Sequence, residues 1–166
     1  MIETILTFLD EIGIKYAFSA IDEEGFLPGI ELREGVILID LKRLKYIGDI
    51  LHEAGHLACM PPEVRAGMAG VLPNNDMMQG GEMMAMAWSF AACKHLKIDT
   101  SVVFHEYGYK NESKVLINAY EAGHGPGIPL LQWLGMCYDE KNAAQKGAKP
   151  FPQMNQWLCT ENKYTE

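Results

Sequence analysis

The segment His52-Glu53-Ala54-Gly55-His56 carries the residue types that a catalytic zinc site needs. Two histidines four positions apart lie on one face of an α-helix, about 6 Å apart along its axis, so both imidazoles can reach a single ion. Glu53, beside the first histidine, is placed to take a proton from a water molecule coordinated to that ion. The spacing therefore predicts a zinc-dependent hydrolase with His52 and His56 as metal ligands and Glu53 as general base.

A helix must carry this motif if the two imidazoles are to converge. Apolar residues recur with helical spacing from about Lys42 to Met60, and Pro61-Pro62 prevents the helix from continuing. Gly55 costs about 1 kcal/mol relative to alanine inside a helix, which indicates that another backbone approaches it closely. The alternative is a helix whose two histidines lie at the edge of the core and bind no metal.

Two histidines leave such a site one protein ligand short. Glu82 is our choice for the third ligand, because it follows Gly80-Gly81 and opens an apolar helix that we expect from about Gln79 to Leu96. The positive end of the helix dipole also favours a carboxylate there, so a purely electrostatic surface role for Glu82 is the alternative. The longer pattern of the metzincins, H-E-x-x-H-x-x-G-x-x-H, is absent, which favours a carboxylate ligand.

Other side chains could also bind a metal. Cys59 shares a helix face with His56, but it lies about 10 Å along the axis from His52, so we assign it to the core. His95 falls at a helix end, where a surface cation interacts well with the dipole. His105 and His124 remain open as alternative ligands.

His124 is a candidate catalytic residue of a different kind. It lies in the glycine-rich segment Gly123-His124-Gly125-Pro126-Gly127, which is flexible enough to shape a cleft, and Tyr120 is close in sequence. Either side chain could donate a hydrogen bond to the oxyanion that forms when water attacks a carbonyl. The alternative for His124 is a loop histidine that is simply exposed to water.

Composition and charge limit the classes of protein that can surround this site. The chain has 166 residues, of which 48% are hydrophobic and 22% are charged, a balance typical of one soluble globular domain. The formal net charge of -8 disfavours nucleic acid and anionic membranes as partners. We therefore expect a single domain over residues 1–166, with no nucleic-acid partner, no membrane partner and an oligomeric state that the sequence leaves open.

The compartment is predicted from two further features. The N-terminal residues lack the basic stretch of a secretory signal, and the longest apolar run, Met83 to Cys93, is too short to cross a bilayer. Four cysteines are scattered without a C-x-x-C spacing, which is typical of reduced core thiols. A cytoplasmic protein without disulfides is expected.

The remaining pattern predicts an α+β fold, with a small, mostly antiparallel sheet packed on the motif helix and further helices. A helix from Ile2 to Ile12 should end at Gly13, and strands should lie at 14–21 and 36–40 with turns at 22–25 and 28–29. Later in the chain we expect a short strand at 102–104, helices at 113–122 and 129–138, and an extended C-terminal segment at 141–166 that docks Trp157.

These residues resemble the ImmA/IrrE-like metallopeptidases, small bacterial and phage proteins with a minimal zincin fold. The resemblance rests on the strand 36–40, on the motif helix through Leu57, and on residues 82–92, where Glu82, Ala85 and Phe90-Ala91-Ala92 match the family's second helix. It implies zinc as the cofactor, Glu82 as the third, gluzincin-type ligand, and a peptide or protein substrate. Known members act on helix-turn-helix transcriptional repressors, which the resemblance makes a candidate substrate.

The favoured interpretation is a zinc-dependent metallopeptidase that activates water with Glu53. One alternative is a zincin-like regulatory or immunity-type binding module with little or no turnover, and another is a metal-free structural domain. Glu53 favours the enzyme, because a purely structural zinc site has no need of a general base.

Overall fold

A computed structural model of the chain describes residues 1–22, 27–69 and 76–164, except for the side chains of 76–78. This part of the chain forms an α+β fold, the class that the sequence predicts, with seven α-helices and a three-stranded sheet. The helices are α1 Ile2–Ile12, α2 Asp49–Cys59, α3 Pro62–Arg65, α4 Asp76–Leu96, α5 Ser113–Glu121, α6 Ile128–Trp133 and α7 Glu140–Lys146. The strands are β1 Lys15–Phe18, β2 Ile30–Arg33 and β3 Val36–Ile39.

The sheet is mixed rather than mostly antiparallel. Strands β2 and β3 form an antiparallel hairpin around Glu34 and Gly35, whose φ angles of 48° and 72° suit a tight two-residue turn. Strand β1 pairs in parallel with the other edge of β3, so the strand order is β1-β3-β2. Strands β1 and β2 therefore lie on opposite edges of β3. The predicted turn at 22–25 falls mostly on residues outside the described part.

Helix α2 lies between the sheet and α4. Leu51, Ala54 and Leu57 of α2 are fully buried, and Trp88 of α4 is fully buried beside them in the same core. A Cβ added at Gly55 would lie only 2.9 Å from the Ala85 carbonyl oxygen, so the two helices touch backbone to backbone there. The expectation that Gly55 marks a close backbone approach is confirmed.

Helix α2 begins at Asp49 rather than near Lys42, so the predicted start is wrong. The backbone N–H groups of Arg43 and Leu44 both donate to the Asp40 carbonyl, and the Lys42 N–H donates to Asp40 Oδ1, which holds this stretch in turns. Gly48 then packs directly against the Val102 carbonyl. Local hydrogen bonds thus prevail over an apolar spacing that would suit a longer helix.

Helices α1, α4 and α5 follow the prediction closely. Helix α1 ends at Gly13, whose φ is 82°, and α4 ends at Leu96 but starts at Asp76, somewhat before the predicted Gln79. Helix α5 ends before Gly123, whose φ is 80°. These helix ends coincide with glycines in the left-handed conformation at α1 and α5, which is why they could be predicted.

Two later predictions are corrected. The expected strand at 102–104 is replaced by a 3₁₀ helix over Thr100–Val102, because Asp99 Oδ1 accepts a hydrogen bond from the Ser101 N–H at 2.8 Å. The expected helix at 129–138 ends at Trp133, and Gly135 follows it with a φ of 76°. In both places a short-range feature, a capping side chain in the first and a left-handed glycine in the second, interrupts a run of apolar residues.

The C-terminal segment is not wholly extended, since it opens with α7. Asp139 Oδ1 accepts from the Asn142 N–H at 2.6 Å to start that helix, and Gly147 with a φ of 63° ends it. Beyond α7 the chain has no further helix up to residue 164, and it docks as expected. The Trp88 indole N–H donates to the Trp157 carbonyl at 2.9 Å, and the two rings meet edge to face.

The cysteine prediction is confirmed, because all four cysteines are free and buried. Burial raises the pKa of the Cys93 and Cys137 thiols to about 12, so both are held as neutral thiols in the core. Among the described residues, no helix has both the length and the apolar character that a membrane span requires.

Candidate metal centre

Three side chains from α2 and α4 converge on one point. The Nε2 atoms of His52 and His56 lie 3.1 Å apart, with the two rings nearly perpendicular at 87°. Glu82 Oε1 lies 3.4 Å from His52 Nε2, and Glu82 Oε2 lies 3.0 Å from His56 Nε2. His52, His56 and Glu82 thus form a group that could hold a metal ion, with ligand atoms within 4.8 Å of one another.

The separations between these donor atoms fit a small tetrahedral ion. Zinc binds nitrogen and carboxylate oxygen at about 2.0–2.2 Å, so two donors of one tetrahedral ion should lie roughly 3.3–3.6 Å apart. The observed separations of 3.0–3.4 Å are at or slightly below that range. A shift of a few tenths of an ångström would therefore admit the ion between the three side chains.

The helix contact explains why Glu82 reaches the histidines. Ala85 lies one turn after Glu82 on α4 and touches Gly55, which lies between the two histidines on α2. Helix α4 begins at Asp76, so Glu82 lies beyond the first turn, where the helix dipole has little effect. The position of Glu82 is therefore explained by its approach to the imidazoles, and the purely electrostatic surface alternative loses its support.

Electrostatics keep the Glu82 carboxyl ionised. Partial burial alone would raise the pKa of Glu82, but hydrogen bonds and charge interactions with His52 and His56 more than offset it and hold that pKa well below its usual range. The Glu82 side chain is 51% exposed, whereas those of His52 and His56 are 12% and 5% exposed. The centre is thus open to solvent on the Glu82 side and closed on the histidine side.

Glu53 has the properties of a proton acceptor beside this centre. Burial raises the pKa of its carboxyl, His56 partly counteracts that rise, and the Glu82 and Asp49 carboxylates add to it. A carboxylate with a raised pKa is a better base than an ordinary surface glutamate. The structure therefore gives Glu53 an environment that suits the predicted role.

A second polar cluster lies one turn before His52, and it was not predicted. Asp49 Oδ1 lies 3.3 Å from His105 Nε2, and the His105 ring stacks on Tyr46 with centroids 3.8 Å apart. Burial raises the Asp49 pKa, while His105 lowers it. His105, left open as a metal ligand by the sequence, is thus paired with Asp49 rather than placed in the three-residue group.

Tyr109 is the other residue that the sequence analysis missed. Its hydroxyl oxygen lies 3.4 Å from His52 Nδ1, on the side of the ring away from Glu82. Burial raises the pKa of Tyr109 well above its usual value, and the Glu82 and Asp49 carboxylates raise it further, so the phenol stays neutral. No local pattern indicates this residue, because it lies in a loop far from the motif in sequence.

His124 is exposed, and no described hydrogen bond, ion pair or ring contact joins it to the three-residue group. Its loop nevertheless runs beside that group, since Gly127 packs directly against the carbonyl of Met83, next to Glu82. The Tyr120 hydroxyl donates to the Pro126 carbonyl at 2.9 Å, so it is already engaged within this loop. A role for His124 at the oxyanion remains a prediction.

Comparison of the chain with known proteins gives no match, whether against family models, curated proteins or solved structures.

Proposed function

We propose that this protein is a zinc-dependent hydrolase with a zincin-like fold, and that it cleaves peptide bonds with Glu53 as general base. The observation that carries the proposal is the convergence of the His52 and His56 Nε2 atoms with the Glu82 carboxylate, at separations of 3.0–3.4 Å. The geometry of this group, rather than the motif alone, is the reason to expect a metal.

The donor set favours zinc and a catalytic site. Two imidazole nitrogens and one carboxylate make three protein ligands, the number that catalytic zinc sites use, whereas structural zinc sites have four. Glu82 is the most exposed of the three side chains, so the group is open to solvent on that side. A zinc ion acts in such sites as a Lewis acid and lowers the pKa of water in its open position.

Glu53 would move the proton in both halves of the reaction. It follows His52 on α2, and its carboxyl interacts electrostatically with both His56 and Glu82, so it lies beside the group. With its raised pKa it can take the proton of the attacking water and later give that proton to the leaving amine. No other described acid within α2 has this place, since Asp49 is paired with His105.

The peptide substrate is supported by the H-E-x-x-H motif and by the resemblance to the ImmA/IrrE-like metallopeptidases. That resemblance makes a helix-turn-helix transcriptional repressor a candidate protein substrate. A cytoplasmic location belongs to the same proposal and is supported by four buried, free thiols.

The test combines metal analysis with a peptide-cleavage assay. The purified protein should take up about one equivalent of zinc and cleave members of a library of unstructured peptides, with the products identified by mass spectrometry. Glu53→Gln should keep the zinc and lose cleavage by a factor of about a hundred or more, because it removes only the proton acceptor. Glu11→Gln, an exposed change on α1, is the matched control and should cleave like the wild type.

Each failure of this test has its own meaning. A protein that takes up no zinc would exclude the metal site and leave the metal-free domain. Zinc uptake without cleavage of the peptide library or of a helix-turn-helix repressor would favour a binding module over an enzyme. Cleavage that survives Glu53→Gln would remove Glu53 from the mechanism while leaving the metal site intact.

A further inference from the structure

We propose that Tyr109 is a positioning residue for the metal ligand His52, and that the Asp49–His105 pair fixes the loop that carries Tyr109. This inference rests on the proposed metal site, and it assigns a role to a loop that the motif and the resemblance leave without one. It names which residues orient the first histidine of the motif.

The two nitrogens of the His52 ring have different partners. A neutral imidazole that binds an ion through Nε2 carries its proton on Nδ1, and that N–H needs an acceptor if the ring is to keep one orientation. The Tyr109 hydroxyl oxygen lies 3.4 Å from His52 Nδ1, so it is placed to accept this hydrogen bond. Ligating histidines generally have such a partner, and its loss weakens metal binding.

The two histidines of the group are supported differently. His56 Nδ1 is buried and has no hydrogen-bond partner in the described part of the chain, so the His56 ring is held by packing. The His52 side chain is more exposed, at 12% against 5% for His56, and therefore has less packing to orient it. His52 is thus the ligand whose orientation depends on a specific contact.

Tyr109 is held in place by its own loop, residues 105–112. The Gly108 N–H donates to the His105 carbonyl at 3.1 Å, and a side chain on Gly108 would collide with the His105 ring. The loop therefore folds tightly over His105, and the Ser113 hydroxyl also donates to the His105 carbonyl at 3.0 Å. The Tyr109 ring packs on Phe104 with centroids 5.1 Å apart.

The Asp49–His105 contact ties this loop to α2. His105 Nε2 lies 3.3 Å from Asp49 Oδ1, and its ring stacks on Tyr46. Asp49 and His52 are three positions apart on α2 and share a face of that helix. The loop therefore touches α2 at two points one turn apart, first through His105 and then through Tyr109, which fixes the hydroxyl relative to the ligand.

The test measures metal affinity in variants that leave the three ligands unchanged. Tyr109→Phe removes only the hydroxyl and keeps the ring that packs on Phe104. Its zinc affinity, measured by competition with a chromophoric chelator, should fall about 10–100-fold. The visible absorption spectrum of the cobalt-substituted protein should change as well, because the ligand geometry at His52 changes. Tyr164→Phe removes another partly buried hydroxyl, which contacts Met84 Sδ, and should change neither reading.

A second variant, His105→Gln, tests the contact that fixes the Tyr109 loop and so affects the His52 ring indirectly. His105→Gln keeps a donor near Asp49 but loses the stacking on Tyr46, so it should also weaken zinc binding, by less than Tyr109→Phe does. The double variant should weaken binding by less than the product of the two single effects, because both act through the orientation of His52. This result would not follow if His105 merely stabilised the fold.

The outcomes separate this inference from the proposed function. If the wild type binds zinc and Tyr109→Phe binds it equally tightly with an unchanged cobalt spectrum, the inference is wrong and the metal site stands. Independent, multiplicative effects of the two changes would show that the Asp49–His105 pair does not act through the orientation of His52. If the wild type itself binds no zinc, the proposed function fails, and this inference fails with it.

Discussion

Gly55→Ala is the most informative single change in α2, because it should act on the proposed metal site more than on the fold. An added Cβ would lie 2.9 Å from the Ala85 carbonyl oxygen and 3.0 Å from the Ala85 Cα. An ordinary contact between such atoms is roughly 3.4 Å or more, so α2 and α4 must separate by about 0.5 Å. Glu82 Oε1 already lies 3.4 Å from His52 Nε2, so a further separation of about 0.5 Å would take this pair beyond the roughly 3.6 Å that one tetrahedral ion allows, by more than the tolerance of about 0.2 Å on metal–ligand distances.

The two readouts of this variant should therefore diverge. Alanine gains about 1 kcal/mol over glycine in helix propensity, while overpacking costs about 1–3 kcal/mol, so the free energy of unfolding of the apo protein should fall by at most about 2 kcal/mol. Zinc affinity should fall at least about tenfold. Urea unfolding of the apo protein measures the first quantity, and chelator competition measures the second.

Gly80→Ala on α4 is the matched control. A Cβ there meets Leu130 Cδ1 at 3.5 Å, an ordinary contact, so the change should stabilise the helix by about 1 kcal/mol and leave zinc affinity unchanged. A Gly55→Ala protein that folds and binds zinc as tightly as the wild type would show that the helix contact does not determine the position of Glu82. The position of Glu82 would then need a cause other than the contact between Gly55 and Ala85.

Two further predictions concern the rest of the fold. The Arg65 guanidinium donates at 2.7–3.0 Å to the carbonyls of Leu57, Met60 and Cys159. Arg65→Met should therefore lower the free energy of unfolding by about 2–4 kcal/mol and expose the C-terminal segment to limited proteolysis. Unchanged proteolysis would contradict this. Asp40→Asn should weaken the acid sensitivity of folding. The hydrogen bond from the Ile21 N–H is the main cause of the lowered Asp40 pKa. The stabilisation that ionised Asp40 gives to the fold is therefore complete above about pH 4 and is lost as the pH falls through the folded pKa. Identical stability curves for the two proteins on acid titration between pH 2 and 5 would contradict this prediction.

The residues that could be predicted from the sequence share a short-range signal. The four-residue spacing of His52 and His56 places both on one face of a helix. Gly55 is unfavourable inside a helix, and it lies where the backbone of α4 makes contact. The sequence alone could not place Glu82 at the histidines, since it indicated only a carboxylate on a neighbouring apolar helix. The packing of α2 on α4 brings that carboxylate to the imidazoles.

The residues that were missed are joined only by tertiary structure. Tyr109 and His105 lie in a loop more than fifty positions after the residues of α2 that they contact, and nothing in their spacing indicates that they fold back. The start of α2 and the 3₁₀ helix at 100–102 were missed for another reason. There, single side-chain oxygens of Asp40 and Asp99 bind nearby backbone N–H groups and prevail over the apolar pattern.

The last turn of α2 is completed by a segment that lies far later in the sequence. The Ala58 carbonyl, in the last turn of that helix, accepts from the Cys159 N–H at 2.7 Å, and Arg65 binds the Cys159 carbonyl across 94 positions of sequence. A nascent chain that has emerged only as far as α7 carries both histidines and Glu82 but lacks this partner for the helix end. A chain that ends before Cys159 should therefore hold the last turn of α2 less firmly than the full chain does.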